Sequence, residues 1–119
     1  MRFNPSTEDE IEARAVWARG VYPFRIVDAE EGVSAAGNEM IEVKIEITKR
    51  DGQRRIIRDY LLAKRPAKLL HAATVCGLIE KYEAGEVDAE DFIGKSGNLK
   101  LGIQTSKQWP TKNVVSDYL

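Results

Sequence analysis

The sequence has little of what small proteins use to hold a fold together or to carry out chemistry. One cysteine and one histidine occur among its 119 residues, so an internal disulfide cannot form and a zinc site has almost no ligands. No apolar run approaches the roughly 20 residues that a membrane-spanning helix needs. The N-terminal residues lack the apolar core of a secretory signal. These absences predict a cytoplasmic protein with no membrane partner, no metal and no cofactor.

What the sequence does contain is typical of one small globular domain. The apolar fraction is 43% and the charged fraction is 31%, and a chain of this length can bury a core without covalent staples. No repeat, low-complexity stretch or internal linker divides it. We therefore expect a single folding unit.

The charges are segregated along the chain, although the formal net charge is only −1. Residues 41–68 hold nine Lys or Arg against four acidic residues, residues 79–94 hold one against six, and residues 95–119 hold four against one. If these segments fold apart, the surface has a positive and a negative side. The alternative is that each run is an ordinary solvated face.

Residues 6–18 are predicted to form a short helix. Ser6 or Thr7 can serve as its N-cap, and acidic residues follow in the first turn, where the helix dipole favours them. Trp17 would pack this helix against the rest of the domain. A mobile N-terminal arm is the alternative.

Three strands are predicted after Gly20 from alternation of apolar and polar residues. Pro23 cannot donate to a sheet, which places it at an edge or a bulge of the first strand. A loop over residues 30–38 leads to the second strand, and the turn Asp51-Gly52 leads to a third strand over residues 54–62. The core-facing positions of the first two strands are Tyr22, Phe24, Ile26, Ile41, Val43, Ile45 and Ile47.

A helix is predicted between the third strand and the fourth. It begins at Pro66, which suits a first helical turn, and ends near Gly77. Further helical turns follow, the last of them capped by Asp88. A polar loop over residues 105–112 and a short fifth strand over residues 113–118 complete the chain. The fourth strand is expected to direct Leu99, Leu101 and Ile103 inward and Lys100, Gly102 and Gln104 outward.

This order of elements predicts an all-β fold with one or two helices. A β-β-β-α-β-β order, with the helix between strands three and four, is that of the five-stranded Greek-key barrel called the OB-fold. The predicted domain covers residues 20–119 and is preceded by a helical arm over residues 1–19. A small β-sandwich would need about seven strands, and an α+β roll is the other alternative.

The predicted fold places the two basic blocks together. In an OB-fold, strands two and three and the loops after strands one and four form the ligand groove. The basic blocks fall on these segments, and the acidic block falls on the connection away from the groove. The charge pattern and the order of the elements therefore predict the same cationic groove.

Short sequence matches in a consistent order resemble a known family. They are Gly20-Val-Tyr-Pro-Phe24, Ser34-Ala-Ala-Gly-Asn-Glu-Met-Ile41, Asp59-Tyr60-Leu61, Lys68-Leu69, Gly77-Leu78, Tyr82-Glu-Ala-Gly-Glu86, Gly94-Lys95 and Lys112-Asn-Val-Val-Ser-Asp-Tyr-Leu119. Over residues 20–119 the chain resembles small phage- and prophage-encoded proteins, often catalogued as a domain of unknown function and taken to be OB-fold single-stranded-DNA-binding proteins. The resemblance implies a protein that coats single strands and assists a recombinase or helicase in a bacterial or phage-infected cytoplasm.

Binding of single strands without sequence preference requires cations along the phosphates and flat side chains on which bases stack. The candidates are Lys44, Arg54, Arg55, Arg58, Tyr60, Lys100, Lys107, Trp109 and Lys112. Trp109 lies in a polar loop and is the favoured stacking platform, although it could instead plug the end of the barrel. Lys44 faces outward by alternation, although it could simply balance the neighbouring glutamates.

The third strand leaves two orientations open. Arg55 and Arg58 have opposite parity, so both cannot face the groove unless a bulge intervenes. Tyr60 shares its face with Ile56, whereas Ile57 occupies the other face, and the sequence does not say which of the two isoleucines is buried.

The leading hypothesis is a sequence-nonspecific single-stranded-DNA-binding protein, not an enzyme, that supports phage or prophage DNA replication or recombination. The alternative is an OB-fold protein-interaction module that docks a recombinase, helicase or polymerase through the groove or the acidic block. A nuclease is the weakest hypothesis, because Asp28, Glu46 and Asp59 have no spacing that recommends them as metal ligands. Since one small groove holds few nucleotides, the fold also favours a homo-oligomer.

Overall fold

The computed structural model describes residues 2, 15–108 and 110–119. Within them, five strands form one antiparallel sheet: β1 Gly20–Val33, β2 Glu39–Thr48, β3 Arg54–Leu62, β4 Ser96–Gln104 and β5 Lys112–Tyr118. Between β3 and β4 lie α1 Pro66–Val75, α2 Ile79–Glu83 and α3 Ala89–Phe92. The expected β-rich fold with few helices is confirmed. No helix of the described part of the chain is long and apolar enough to cross a membrane.

The strand order in the sheet is β3-β2-β1-β4-β5. The long strand β1 pairs with β4 from Gly20 to Arg25 and with β2 from Phe24 to Val33. It therefore changes partner near its middle. Pro23 has a partner in β4 but none in β2, so its missing N–H leaves no gap in a two-sided ladder.

The first strand is longer than its sequence indicates. Residues 30–33, expected in a loop, continue β1 and pair with β2. Glu30 and Glu31 are solvent-exposed, so strand pairing does not bury their charges. A bulge between Ile26 and Asp28 shifts the register and hides the alternation that would have revealed the strand. The true turn is short: the Ser34 N–H donates to the Asn38 carbonyl at 2.9 Å.

The core lies between the inner face of the sheet and the helices. Alternation in β2 works as predicted, with Ile41, Val43, Ile45 and Ile47 all buried. From the helical side, Phe92 of α3 is completely buried and supplies the largest enclosed side chain. Asp88 caps α3 as expected, in a reciprocal capping box with Asp91.

A polar cluster joins the two outermost strands of the sheet order. The Tyr118 hydroxyl of β5 donates to the Asp59 carboxylate of β3 at 2.7 Å. Lys68 of α1 donates to the other oxygen of Asp59 at 2.8 Å and to the Val115 carbonyl of β5 at 2.9 Å. Because Asp59 is 8% exposed, these contacts supply the donors that a buried carboxylate requires. They bring β3 and β5 together across α1.

The N-terminal segment crosses one end of the sheet without forming a helix at residues 15–18. The end of the predicted helix 6–18 is therefore wrong, and residues 6–14 lie outside the described residues. Trp17 is buried as expected, and the Asn113 side chain accepts from its N–H at 2.7 Å and donates to its carbonyl at 2.9 Å. These hydrogen bonds satisfy the N–H and the carbonyl of Trp17, which a helix would have paired within itself.

Strand β4 also departs from simple alternation. A register shift against β5 lies between Lys100 and Leu101. As a consequence Gly102, expected outward, is buried, while Ile103 is only half-buried. A Cβ on Gly102 would collide with the Ser116 Oγ, so glycine allows the two strands to pack at this point.

Candidate nucleic-acid interface

The outer surface of β3 carries a row of four solvent-exposed side chains. This β3 outer row consists of Arg54, Ile56, Arg58 and Tyr60. Ile56 is 58% exposed and Tyr60 is 44% exposed, although both are large apolar or aromatic groups. The orientation that the sequence left open is thereby settled: Ile57 packs against the core and Ile56 does not. Cations alternate with an apolar and an aromatic side chain along one strand.

The neighbouring column on β2 is mixed in charge. Lys44 lies opposite Arg58, Glu42 lies opposite Tyr60, and Glu46 lies opposite Ile56. The Arg58 Nε is 3.5 Å from a Glu42 carboxylate oxygen, with 60% of the arginine side chain exposed. An exposed ion pair of this kind contributes little to stability, so Arg58 can exchange Glu42 for another anion. The two glutamates favour a phosphate path along β3 rather than along β2.

The side chain of Arg55 lies on the other side of β3 from the β3 outer row and contacts the N-terminal segment. Its guanidinium donates to the Ala15 carbonyl at 2.7 Å and lies 5.1 Å from the ring centre of Trp17. The Lys49 ammonium lies 4.7 Å from the same ring. Both distances are within the range of cation–π attraction. Arg55 therefore holds the N-terminal segment against the end of the sheet, apart from the β3 outer row.

Cations concentrate at one end of the sheet, which we call the basic end. Because neighbouring strands are antiparallel, the start of β1, the β2–β3 turn and the β4–β5 loop meet there. Residues 15–20, 48–55 and 104–112 contain seven basic residues against the single acid Asp51. The seven are Arg19, Lys49, Arg50, Arg54, Arg55, Lys107 and Lys112. A concentration of one sign of charge raises the local density of anions.

An open cleft of about 600 Å³ lies at the basic end. It forms where β1 leaves β2 to pair with β4, so that the β2–β3 turn stands apart from the sheet. Arg19, Lys49 and Arg50 line it together with Val21, which is 62% exposed, and Tyr22. The cleft therefore combines positive charge with apolar surface, next to Arg54 of the β3 outer row.

Of the remaining predicted site residues, some lie at the β4–β5 loop and one lies on β4. Lys107 and Lys112 are exposed at the β4–β5 loop, and Trp109 lies outside the described residues. Lys100 is exposed on β4, with Val21 of β1 and Asp117 of β5 as its partners in register. Lys100 is thus separated from Tyr60 by two intervening strands. The structure groups Lys44, Arg54, Arg58 and Tyr60 on one face and does not group Lys100 with them.

The described residues contain no cluster of three or more His, Cys, Asp or Glu that could hold a metal ion. Asp59, one of the three carboxylates considered for a nuclease, is occupied by Lys68 and Tyr118. Burial raises the pKa of the Cys76 thiol to about 11, with a smaller opposing effect from Lys95. A thiol with so high a pKa is a poor nucleophile at neutral pH.

Arg19 and Val21 line the cleft at the basic end, and the sequence did not identify them as part of the interface. Both belong to it only because β1 changes its partner near Phe24; Pro23 marks an edge position there, but it does not show which strand takes over the pairing. Arg50, which was not among the predicted site residues, lines the cleft beside Arg19. The turn Asp51-Gly52 was the sequence signal that could have identified Arg50, since it fixes where the β2–β3 hairpin projects.

Comparison with protein-family models gives no match, and comparison with curated proteins gives no significant match.

Proposed function

We propose that this protein binds single-stranded DNA without sequence specificity, along the β3 outer row and onto the basic end. The observation that carries the proposal is the alternation of Arg54, Ile56, Arg58 and Tyr60 on one exposed strand face. Cations that follow a backbone and an aromatic ring that accepts a base are the two parts that nonspecific single-strand binding needs.

We further propose that the sheet is an OB-fold barrel. Three features support this: the order β3-β2-β1-β4-β5, the helices between β3 and β4, and the polar cluster of Asp59, Lys68 and Tyr118 that joins β3 to β5. In that fold the outer face of strands two and three is the usual site for oligonucleotides. The β3 outer row lies on this face.

The path of the strand follows from the charges. From Tyr60 to Arg54 the row spans six residue-to-residue steps, or about 20 Å at the usual rise of a β-strand. A base stacks on Tyr60, the phosphates follow Arg58 and Arg54, and the strand continues into the cleft beside Arg19 and Arg50. Glu42 and Glu46 of β2 repel phosphates and keep the backbone on the β3 side.

Preference for single strands over duplex follows from the aromatic contact. A ring such as Tyr60 stacks on a base only if that base is free of its own stack, and each such contact contributes roughly 1–3 kcal/mol. Phosphate contacts alone would bind duplex and single strand alike. The role in phage or prophage DNA replication or recombination, in the cytoplasm and beside a recombinase or helicase, is proposed from the family resemblance of residues 20–119.

The test is fluorescence anisotropy of a labelled poly-dT oligonucleotide, titrated with the protein at several salt concentrations and with duplex DNA as competitor. Each phosphate contact contributes about 0.7 to the slope of log affinity against log salt for single strands. The variant Arg54→Ala/Arg58→Ala is therefore expected to reduce that slope by about 1.4. Tyr60→Ala is expected to weaken binding by roughly 5- to 150-fold with little change in slope.

The matched control is Lys81→Ala/Lys95→Ala, which removes the same charge from exposed positions in or next to the helical connection. It should leave the salt slope nearly unchanged, because neither lysine lies on the proposed path. Absence of salt-sensitive binding to poly-dT at low salt would refute the function. Equal effects of the two double variants would refute the site.

A further inference from the structure

A second cleft, of about 590 Å³, lies at the end of the sheet opposite the basic end. It is formed by the last residues of β1, the first residues of β2 and the segment between α2 and α3. Its walls include the half-buried apolar side chains of Met40, Leu69 and Val87, and Leu61, which also lines it, is 1% exposed. Val33, which also lines it, is 65% exposed. The cleft thus presents apolar surface that the fold itself does not cover.

Carboxylates surround this apolar surface. Glu31, Glu39, Glu86 and Asp88 all line the cleft and are all solvent-exposed. Asp88 is committed to capping α3, and Glu31 accepts weakly from the Ala89 N–H at 3.4 Å. Among the described residues, no hydrogen bond or ion pair engages the carboxylates of Glu39 and Glu86. Two negative charges on the rim are therefore available to a ligand.

We propose that this acid-rimmed cleft docks a short cationic segment of a partner protein, in which Lys or Arg side chains flank a large apolar residue. The apolar residue packs against Met40, Leu69 and Val87, and the cations pair with Glu39 and Glu86 at the rim. Met40 suits such a pocket because its unbranched side chain adapts to different shapes. A buried apolar anchor with charged pairs around it is the usual anatomy of a peptide-binding surface.

Charge complementarity selects this occupant over others. Nucleic acid is repelled by four carboxylates, and a purely apolar partner would leave them unpaired. The β2–β3 turn of a second copy, with Lys49 and Arg50, contains no apolar residue between Lys49 and Arg55 and therefore does not fill the cleft.

The two ends of the molecule can be occupied at the same time. The basic end and the acid-rimmed cleft lie at opposite ends of β1, since the first involves Gly20 and the second involves Val33. A partner held in the cleft therefore leaves the basic end free, while Tyr60, where the proposed DNA path begins, directly precedes Leu61 of the cleft. This inference does not depend on DNA binding, because the cleft and its charges are independent of the β3 outer row.

The experiment is a selection of random displayed peptides of about a dozen residues against the full chain, with excess poly-dT oligonucleotide present to occupy the basic end. We expect enriched peptides to share a large apolar residue flanked by Lys or Arg. A synthetic copy of the strongest peptide is then measured by anisotropy against the wild-type protein and two double variants. Glu39→Lys/Glu86→Lys is expected to weaken binding by about tenfold or more, as close charge pairs at interfaces do.

Glu83→Lys/Glu90→Lys is the matched control, because it makes the same charge change at exposed positions of α2 and α3 that do not line the cleft. It should change the affinity by less than about threefold, the size expected of screened long-range charge. Three outcomes would overturn the proposal: enriched peptides without the cationic and apolar pattern, no enrichment at all, or equal losses in the two double variants.

Discussion

The polar cluster that joins β3 to β5 makes a strong prediction about stability. In Tyr118→Phe the ring stays in place, but the hydroxyl that donates to Asp59 at 2.7 Å is lost. One oxygen of a carboxylate that is 8% exposed is then left without its donor. Hydrogen bonds to charged groups contribute roughly 1.5–3 kcal/mol. Because Lys68 still neutralises the charge, we expect a loss of about 2 kcal/mol in the free energy of unfolding.

That loss is measurable by thermal and urea denaturation followed by circular dichroism. At the usual unfolding entropy per residue, about 2 kcal/mol corresponds to a decrease in Tm of about 8 °C for a chain of this length. The matched control is Tyr82→Phe, at a half-buried tyrosine whose hydroxyl has no hydrogen-bond partner within the described residues. It should cost less than about 0.5 kcal/mol.

The pH dependence provides an independent check. Burial, and then the neighbouring Asp59 carboxylate, raise the pKa of Tyr118 well above its usual value of 10.0. Above about pH 10 the unfolded chain loses this proton while the folded protein keeps it, so stability falls as pH rises. Tyr118→Phe has no such titrating group. The difference in the free energy of unfolding between wild type and Tyr118→Phe should therefore become smaller above about pH 10. A variant within about 0.5 kcal/mol of wild type at neutral pH would refute the role given to this bond.

Three further predictions concern other parts of the fold. The thiol of Cys76, whose pKa is raised to about 11, should react with a disulfide reagent at pH 8 only after unfolding; fast reaction of the native protein would contradict its burial. Gly97→Ala should cost about 1–3 kcal/mol in a urea titration, because the added Cβ collides with Val75 Cγ1, and Val75→Ala should restore part of the loss. Arg55→Met should lower the Tm through its lost contacts with Trp17 but weaken poly-dT binding less than Arg54→Met does; the reverse order would show that Arg55 belongs to the DNA path.

Local chemistry explains which parts of the fold could be predicted. The alternation in β2 fixes its buried face, Asp51-Gly52 fixes the tight hairpin, and Asp88 marks the start of α3. Each of these features depends on neighbours within a few residues. The expected β-rich order of elements was therefore correct over the described residues, apart from the continuation of β1 to Val33 and the absence of helix at residues 15–18.

The site was harder to predict because it depends on long-range pairing. Ile56 and Ile57 are equally apolar, so only the packing of β3 against the core decides that Tyr60 and the adjacent cations face outward. Pro23 indicates an edge or a bulge in β1, but neither the new partner of this strand nor its bulge after Ile26 can be deduced from neighbouring residues. Segregated charge blocks indicated two oppositely charged surfaces. In the structure, seven basic residues gather at the basic end and carboxylates rim the cleft at the other end, but Lys64 and Arg65 of the basic block also follow β3 at that other end.

The most direct test of the proposed DNA path is ultraviolet cross-linking of the full chain to a bromodeoxyuridine oligonucleotide, followed by trypsin digestion and mass spectrometry. Trypsin releases residues 59–64 as one peptide, in which Tyr60 is the only aromatic residue. We expect cross-links on this peptide and at the basic end. In Tyr60→Ala, we expect the cross-links on this peptide to be lost. Cross-links confined to residues 79–93, where α2 and α3 lie, would contradict it.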